Sequence, residues 1–276
     1  MTQDFDALLL DLDGTLLDSS DGVHPETAAA LAEARAAGVH VMVVTGRSKI
    51  TARPVLHELE LDTATSIFNG AAVYCPREDR MLEERTLSNR SLERILDYTH
   101  QTGDLAVFMT ADRKFAFEPA SDEERSLLWD SVEIVTPEDF RPEYVIRTTF
   151  LCSRLPDSRR YAEEIEAHVG HPLYTTHFPL AVLPRFRASS VVAVDVHPPC
   201  RGKAEALRHL EEVHGISPER VVAVGDATND IPMIEAAGLG VAMESGMEEL
   251  RAVADRVIGH HDGPALGQFV RELLAG

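Results

Sequence analysis

An apolar run near the start of the chain leads directly into two aspartates. Ala7 to Leu10 are apolar, and Asp11 and Asp13 follow them in the stretch DLDGT. A continuous apolar run of this kind predicts a strand buried on both faces, as the strands of parallel sheets are. Ligands of open parallel sheets bind at the carboxyl ends of the strands. The run therefore predicts a parallel sheet whose first strand carries two carboxylates to a binding site.

Strand and helix patterns alternate on both sides of a central segment of different character. Apolar strands around residues 39–47 and 65–70 alternate with helices around 24–38 and 48–61, and the alternation resumes from residue 202. We predict an α/β core with a doubly wound parallel sheet, formed by residues 1–84 and 198–276. Residues 85–197 mix two helices with short strands, which predicts an inserted α+β domain with an antiparallel sheet.

The charge and the cysteine content narrow the range of partners. A formal net charge of −20 disfavours nucleic acid, because its phosphate backbone would be repelled. No apolar run is long enough to span a membrane, and the first residues lack the pattern of a signal peptide. The three cysteines have no C-x-x-C spacing, which is typical of reduced cytosolic thiols. The sequence predicts a cytoplasmic protein and gives no indication of its oligomeric state.

Polar residues also follow two further predicted strands. Thr45, Gly46 and Arg47 follow the second strand, and the stretch GDATND, residues 225–230, follows a later one. Lys203 begins the helix after the inserted segment. If neighbouring parallel strands hold these loops, they meet the DLDGT loop in one pocket at the same edge of the sheet.

The residue types in this pocket indicate a divalent metal and a phosphate. Clustered carboxylates repel one another and favour a hard cation with oxygen ligands, of which Mg²⁺ is the first candidate. A carboxylate beside metal and phosphate can attack phosphorus, which makes Asp11 the candidate nucleophile and Asp13 the general acid and base. Lys203, the Thr45 hydroxyl and the Gly46 N–H group would neutralise the transferring oxygens. Each motif alone is explained as well by turn or capping chemistry, whereas coincidence does not explain their combination in this order.

Together the motifs resemble the haloacid dehalogenase superfamily of phosphotransferases. The stretches that match are, in order, DLDGT, VVTGR, a lysine and GDATND. The stretches FNGAAVY, GDATNDIPMIEAAGLGVAM and HDGPALGQF look like the Cof-like phosphatases, which carry a class IIB cap domain between the second and third motifs. The resemblance covers essentially the whole chain, is weakest inside residues 85–197, and implies a Rossmann-type core with a cap that selects the substrate. Ala227 departs mildly from the glycine that many relatives have there.

The resemblance implies a role for each matching residue. It implies the nucleophile at Asp11, the acid/base at Asp13, and a Mg²⁺ site made by Asp11, Asp13 (through its backbone carbonyl), Asp226 and Asp230. The substrate- or phosphate-binding residues that it implies are Thr45, Gly46, Arg47, Asn69, Lys203 and Asn229. Arg47 is as typical of an ion pair that braces a loop, and Asn69-Gly70 of a plain turn. On the inserted domain, the candidates to contact the leaving group are Arg147, Tyr174, His177 and Arg187.

The predicted function is the Mg²⁺-dependent hydrolysis of a phosphomonoester in a small metabolite, with a sugar phosphate as the first candidate substrate. An aspartate at position 13 implies a phosphatase or a mutase, because family ATPases commonly have threonine there. Within the family the alternatives are phosphoglycolate, sucrose-phosphate or mannosyl-3-phosphoglycerate phosphatase, and phosphomannomutase. An alternative of another class is a non-catalytic protein that senses a phosphorylated metabolite, although such a sensor would not need an acid/base.

Overall fold

The computed structural model describes residues 5–128, 131–141 and 143–276. Its strands, in chain order, are β1 (Ala7–Asp11), β2 (His40–Val44), β3 (Thr65–Ile67), β4 (Ala72–Cys75), β5 (Arg80–Glu84), β6 (Leu105–Met109), β7 (Lys114–Ala116), β8 (Val132–Ile134), β9 (Arg147–Cys152), β10 (Tyr174–Pro179), β11 (Val192–His197), β12 (Val221–Gly225), β13 (Leu239–Met243) and β14 (Arg256–Ile258). Its α-helices are α1 (Pro25–Ala36), α2 (Lys49–Glu58), α3 (Asn89–Thr102), α4 (Asp122–Leu127), α5 (Ser158–Val169), α6 (Glu205–His214), α7 (Ile231–Ala236), α8 (Glu248–Val253) and α9 (Ala265–Ala275).

The chain divides into two compact units. The first unit comprises the residues up to Arg47 together with Thr51–Glu83 and Arg201–Gly276, and the second comprises Ser48–Ile50 and Glu84–Cys200. The second unit therefore contains the segment that the sequence predicts as an inserted domain. Among the helices of the described residues, none combines the length and the apolar character that crossing a membrane requires.

The first unit is built on a mostly parallel sheet. Its described strands lie in the order β14-β13-β12-β1-β2-β3-β4-β5. β1 pairs in parallel with β12 on one side and with β2 on the other, so the strand order reverses at β1. All five residues of β1 are buried, as the apolar run predicts. The parallel α/β core is confirmed, and the reversal at β1 is the kind of place where such sheets bind ligands.

The second unit is a sheet with helices on one face. Its described strands lie in the order β10-β11-β9-β6-β7-β8, and α3 and α5 pack on the sheet through a buried cluster that includes Tyr98, Phe150 and Tyr161. The sequence predicts an antiparallel sheet with these two helices on one face. The pairing of β7 with β8 is parallel, so the prediction of an antiparallel sheet is wrong for this pair of strands. The sequence analysis also did not predict the short elements α4 and β8. Elements of this length carry too few residues for a periodic pattern.

Three histidines lie close together beside β2. The rings of His40 and His214 have centroids 4.2 Å apart, and those of His209 and His214 lie 6.1 Å apart. Burial, and then the neighbouring imidazoles of His214 and His209, lower the pKa of His40 to about 4, because a charged His40 would be poorly solvated and close to other groups that can carry a positive charge. His40 is therefore neutral in the folded protein at pH values where it is protonated in the unfolded chain.

We expect the protein to lose stability as the pH falls from about 6.5 towards 4, because the unfolded chain binds a proton at His40 that the folded chain excludes. The His40→Gln variant should lose less stability over the same interval. Since His40 is partly exposed, we expect the difference to be on the order of 1 kcal/mol. Urea unfolding of both proteins at pH 7.5 and pH 5 measures it, and parallel losses in the two proteins would contradict the assignment.

Candidate active site

The first site residue lies at the carboxyl end of β1. Asp11 is the last residue of β1 and pairs in register with Val44 at the end of β2. Its side chain is 6% exposed. Because β12 is the other parallel neighbour of β1, the loops after β1, β2 and β12 leave the sheet at the same edge. The sequence prediction that the three motif loops meet therefore follows from the pairing of these strands.

A buried lysine lies between two of the carboxylates. The Lys203 ammonium donates to Asp11 Oδ1 and to Asp230 Oδ1, both at 2.5 Å, and its side chain is 1% exposed. Burial by itself disfavours the charged ammonium, but the negative charges of Asp11 and Asp230 outweigh it and raise the pKa of Lys203 above its usual value. The lysine therefore remains protonated and holds the loops after β1 and β12 together.

Asp230 has its carboxylate engaged on both oxygens. Oδ1 accepts from Lys203, and Oδ2 accepts the backbone N–H groups of Asp226, at 2.9 Å, and Ala227, at 3.0 Å. A carboxylate that accepts several donors is held in one orientation. Asp230 therefore fixes the loop that carries Asp226, which is capping chemistry of the kind that the sequence leaves open for this motif.

The carboxylates form a group whose chemistry fits a hard divalent cation. Asp11, Asp226 and Asp230 each have an oxygen within 4.8 Å of the others. Burial, and then the charge of Asp230, raise the pKa of Asp11 well above its usual range and that of Asp226 to about 7. Three carboxylates around one ammonium leave an excess of buried negative charge, which Mg²⁺ with its preference for oxygen ligands would offset.

Both the backbone conformation at position 14 and the space around it require glycine. Its φ is +76°, in the left-handed region that favours glycine. A Cβ atom at this position would collide with the carboxylate of Asp226. The glycine of DLDGT therefore allows the loops after β1 and β12 to approach closely enough for their carboxylates to form one group.

Hydrogen bonds of Thr45 and Arg47 hold the loop after β2. Thr45 is fully buried, and its N–H donates to the Ser66 carbonyl at 2.8 Å. The Arg47 N–H donates to Thr45 Oγ1 at 3.1 Å, and the Arg47 guanidinium forms an ion pair with Asp13 across the site. The structure thus brings Arg47 to the candidate acid/base and places Thr45 and Gly46 in the same loop.

A strained turn at residues 68–70 is hydrogen-bonded to the loop after β2. Phe68 and Asn69 have φ values of +52° and +51°, which side chains rarely adopt and which are often found at functional sites. The Phe68 N–H donates to the Arg47 carbonyl at 2.9 Å, and the Asn69 N–H donates to the Thr45 carbonyl at 3.1 Å. Gly70 completes the turn, since a Cβ there would collide with the Gly202 carbonyl. The sequence offers Asn69-Gly70 both as a substrate-binding position and as a plain turn, and in the structure the pair forms a turn that is hydrogen-bonded to the loop after β2.

Asn69 also connects the turn to the loop after β12. The Asn229 side-chain amide donates to Asn69 Oδ1 at 3.0 Å. The two asparagines, which the sequence assigns to substrate binding, are therefore side by side in the first unit. All the predicted catalytic, metal and phosphate-binding residues belong to this unit.

The candidates for leaving-group contact belong to the second unit. Arg147 is buried and forms an ion pair with Asp195, with Nη1 and Oδ2 3.3 Å apart. His177 Nδ1 lies 3.0 Å from Ser158 Oγ, Tyr174 begins β10, and Arg187 is exposed. Their proposed role therefore rests on the chemistry of the side chains alone.

Comparison with known proteins identifies the family. The chain matches the model of the haloacid dehalogenase-like hydrolases over residues 8–270. Pyridoxal phosphate phosphatase YbhA of Escherichia coli (strain K12) is 29% identical over 279 residues, which cover 95% of this chain and 96% of that protein. 5-amino-6-(5-phospho-D-ribitylamino)uracil phosphatase YitU of Bacillus subtilis (strain 168) is 24% identical, with 97% of each chain covered.

A solved structure agrees with the family model. The sugar phosphatase BT4131, of HAD subclass IIB, has the same fold with a TM-score of 0.78 and 21% identity, covering 97% of this chain and 98% of that one. The residues that the sequence predicts as nucleophile, acid/base, phosphate-binding lysine and acidic metal ligands all lie in the first unit. This chain belongs to the haloacid dehalogenase-like hydrolases, as a Cof-like phosphatase of phosphate monoesters.

Proposed function

We propose that the protein is a Mg²⁺-dependent phosphatase of a small phosphorylated metabolite that works through an aspartyl-phosphate on Asp11. The observation that carries this proposal is the buried Asp11 carboxylate, held by Lys203 at 2.5 Å beside the carboxylates of Asp226 and Asp230. A carboxylate fixed in this way is suited to attack a phosphorus atom, provided that the surrounding negative charge is neutralised.

The reaction has two steps, and Asp11 and Asp13 act in both. In the first step an oxygen of Asp11 attacks phosphorus, the ester P–O bond breaks, and Asp13 donates a proton to the leaving oxygen. In the second step water attacks the phosphorus of the aspartyl-phosphate and gives a proton to Asp13, which releases inorganic phosphate and restores Asp11. When bound, Mg²⁺ would be held by Asp11, Asp226, the Asp13 carbonyl and Asp230 close by, and it supplies positive charge that draws phosphate and nucleophile together.

The remaining residues of the site would bind the phosphate. Lys203 supplies a permanent positive charge, and the Thr45 hydroxyl and the Gly46 N–H group supply hydrogen-bond donors. Asn69 and Asn229, which are hydrogen-bonded to each other, complete the proposed set. Arg47 belongs to the predicted set as well, although in the structure its guanidinium binds Asp13.

The second unit is proposed as the cap domain that selects the leaving group, with Arg147, Tyr174, His177 and Arg187 as the candidates to contact that group.

A sugar phosphate or a similar metabolite in the cytoplasm is the proposed substrate. The names of YbhA and YitU describe phosphatases of two different small phosphate esters, which supports a small-metabolite substrate without choosing between them. Phosphoglycolate, sucrose-phosphate and mannosyl-3-phosphoglycerate phosphatase remain alternatives within this proposal.

A screen of phosphorylated metabolites for the release of inorganic phosphate separates these substrates. It also separates a phosphatase from a phosphomannomutase, which would return the phosphate to a sugar, and from a sensor, which would release none.

We expect Mg²⁺ to be required for activity, because the carboxylate group carries excess negative charge. Activity should disappear in a chelator and return when Mg²⁺ is added. The Asp226→Asn variant should need at least on the order of tenfold more Mg²⁺ for half-maximal activity, since weakening even indirect metal contacts costs that much. Titration of activity and of thermal stability with Mg²⁺ measures both effects. The control is Asp62→Asn, whose carboxylate forms a surface ion pair with Arg77. Full activity in a chelator would disprove the metal assignment.

We expect Asp13→Asn to slow the transfer of phosphate from an alkyl ester by on the order of 10²–10⁴, because the alkoxide leaving group needs a proton. With p-nitrophenyl phosphate the first step should be nearly unchanged, since nitrophenolate leaves without a proton. The second step still needs a base, so rapid mixing should show a burst of nitrophenolate and an accumulating phosphoenzyme.

The Asp11→Asn variant is the matched control for this experiment, because the same substitution there removes the nucleophile. It should show no burst with either ester. If Asp13→Asn turns over both esters like the unmodified protein, Asp13 is not the acid/base and the proposed mechanism is wrong.

A further inference from the structure

The Asp13 carboxylate is held by one guanidinium. Arg47 Nε donates to Asp13 Oδ2 at 3.0 Å, and Arg47 Nη2 donates to Asp13 Oδ1 at 2.5 Å. Two parallel bonds of this kind fix the plane of the carboxylate as well as its distance. Within the described part of the chain, Arg47 is the residue whose side chain binds both oxygens of Asp13.

The aspartate would otherwise be loosely held. The Asp13 side chain is 54% exposed, whereas the Asp11 side chain is 6% exposed. An exposed aspartate samples several rotamers, and an acid/base that is displaced by about 1 Å loses much of its effect. Burial therefore fixes Asp11 but cannot fix Asp13. The Arg47 guanidinium holds the Asp13 carboxylate instead.

Arg47 is itself held by several hydrogen bonds, so its guanidinium can fix the position of the Asp13 carboxylate. Its N–H donates to Thr45 Oγ1 at 3.1 Å, and its carbonyl accepts from the Phe68 N–H at 2.9 Å. Its Nη1 donates to the Thr51 carbonyl at 3.4 Å, and its side chain is 23% exposed. The second acidic neighbour, Asp21, lies 4.0 Å from Nη2 and is 86% exposed, so solvent screens that pair.

We propose that Arg47 is the positioning residue of the acid/base and acts on the reaction through Asp13. The inference rests on the proposed role of Asp13 and assigns to Arg47 a function other than the phosphate binding predicted from the sequence. The Nε and Nη2 groups form one of the two edges by which a guanidinium binds a phosphate with two parallel hydrogen bonds, and here that edge binds Asp13. Of the other edge, Nη2 is shared with Asp13 and Nη1 donates to the Thr51 carbonyl. Arg47 therefore makes the transfer efficient for poor leaving groups, whose departure depends on a correctly placed proton donor.

A double-mutant cycle between Arg47 and Asp13 tests the proposal. The variants are Arg47→Met, Asp13→Asn and the double variant, and the measurement is the single-turnover rate of phosphoryl transfer with Mg²⁺ present. The two esters are p-nitrophenyl phosphate and the alkyl phosphate that the unmodified protein hydrolyses fastest. Methionine keeps much of the aliphatic stem of arginine, so packing changes little.

With the alkyl ester, we expect Arg47→Met to lower the transfer rate by about tenfold or more. This loss should not exceed the loss of rate that Asp13→Asn causes. In the Asp13→Asn background the same substitution should change the rate by less than about twofold, because residues that act as one unit are not additive. With p-nitrophenyl phosphate, Arg47→Met should leave the first step nearly unchanged. Arg47→Lys should recover only part of the alkyl-ester rate, since an ammonium does not form the two parallel bonds.

Asp21→Asn is the matched control, because it removes the other carboxylate near the same guanidinium and should leave the rate unchanged. Additive losses in the double variant, or equal losses with the two esters, would overturn the proposal and show that Arg47 binds the phosphate directly. An alkyl-ester rate for Arg47→Met and Arg47→Lys like that of the unmodified protein would overturn it as well. A normal rate for Asp13→Asn alone would instead disprove the proposed acid/base, so the two failures are distinguishable.

Discussion

The buried ammonium of Lys203 is the interaction on which the site depends. It joins Asp11 and Asp230, and the sequence separation between Lys203 and Asp11 is 192 residues. Without a cation between them, the buried carboxylates at the end of β1 and in the loop after β12 would repel each other. A buried charge is tolerated only when it is paired and hydrogen-bonded, and here each partner satisfies this condition for the other. The same contact therefore closes the fold at this edge and orients the candidate nucleophile.

Around this contact, the loops approach each other more closely than ordinary side chains would permit. Gly14 makes room for the Asp226 carboxylate, and Gly70 makes room for the Gly202 carbonyl. The positive φ values of Phe68 and Asn69 show that the backbone accepts strain where the turn meets the loop after β2. The hydrogen bonds from this turn to Thr45 and Arg47 hold the loop in place. The precision of the site thus comes from loops that lock one another rather than from the sheet alone.

The two aspartates of the first motif are held by different means. Asp11 is fixed by burial and by Lys203, whereas Asp13 is half-exposed and bound by the guanidinium of Arg47. This division suits the two proposed roles. A nucleophile must be desolvated and fixed beside neutralising charge, and an acid/base must reach a leaving group and exchange protons with water. The spacing of one residue in D-L-D is what allows one strand end to provide both environments.

The sequence by itself determined the parallel core, the order of the motif loops and the chemical types of the residues at the strand ends. These features depend on local patterns, namely continuous apolar runs, glycines and prolines at helix ends, and polar residues directly after strands. It also supported the two long helices of the second unit, α3 and α5, whose amphipathic patterns extend over several turns. Only the tertiary structure decided that β7 and β8 pair in parallel, that Asp230 caps the Asp226 loop, and that Arg47 binds Asp13. The β7–β8 pairing and the Arg47–Asp13 ion pair join residues distant in sequence, so no local pattern encodes them. The Asp230 contacts are local, and the sequence left open whether Asp230 caps the backbone or holds a metal.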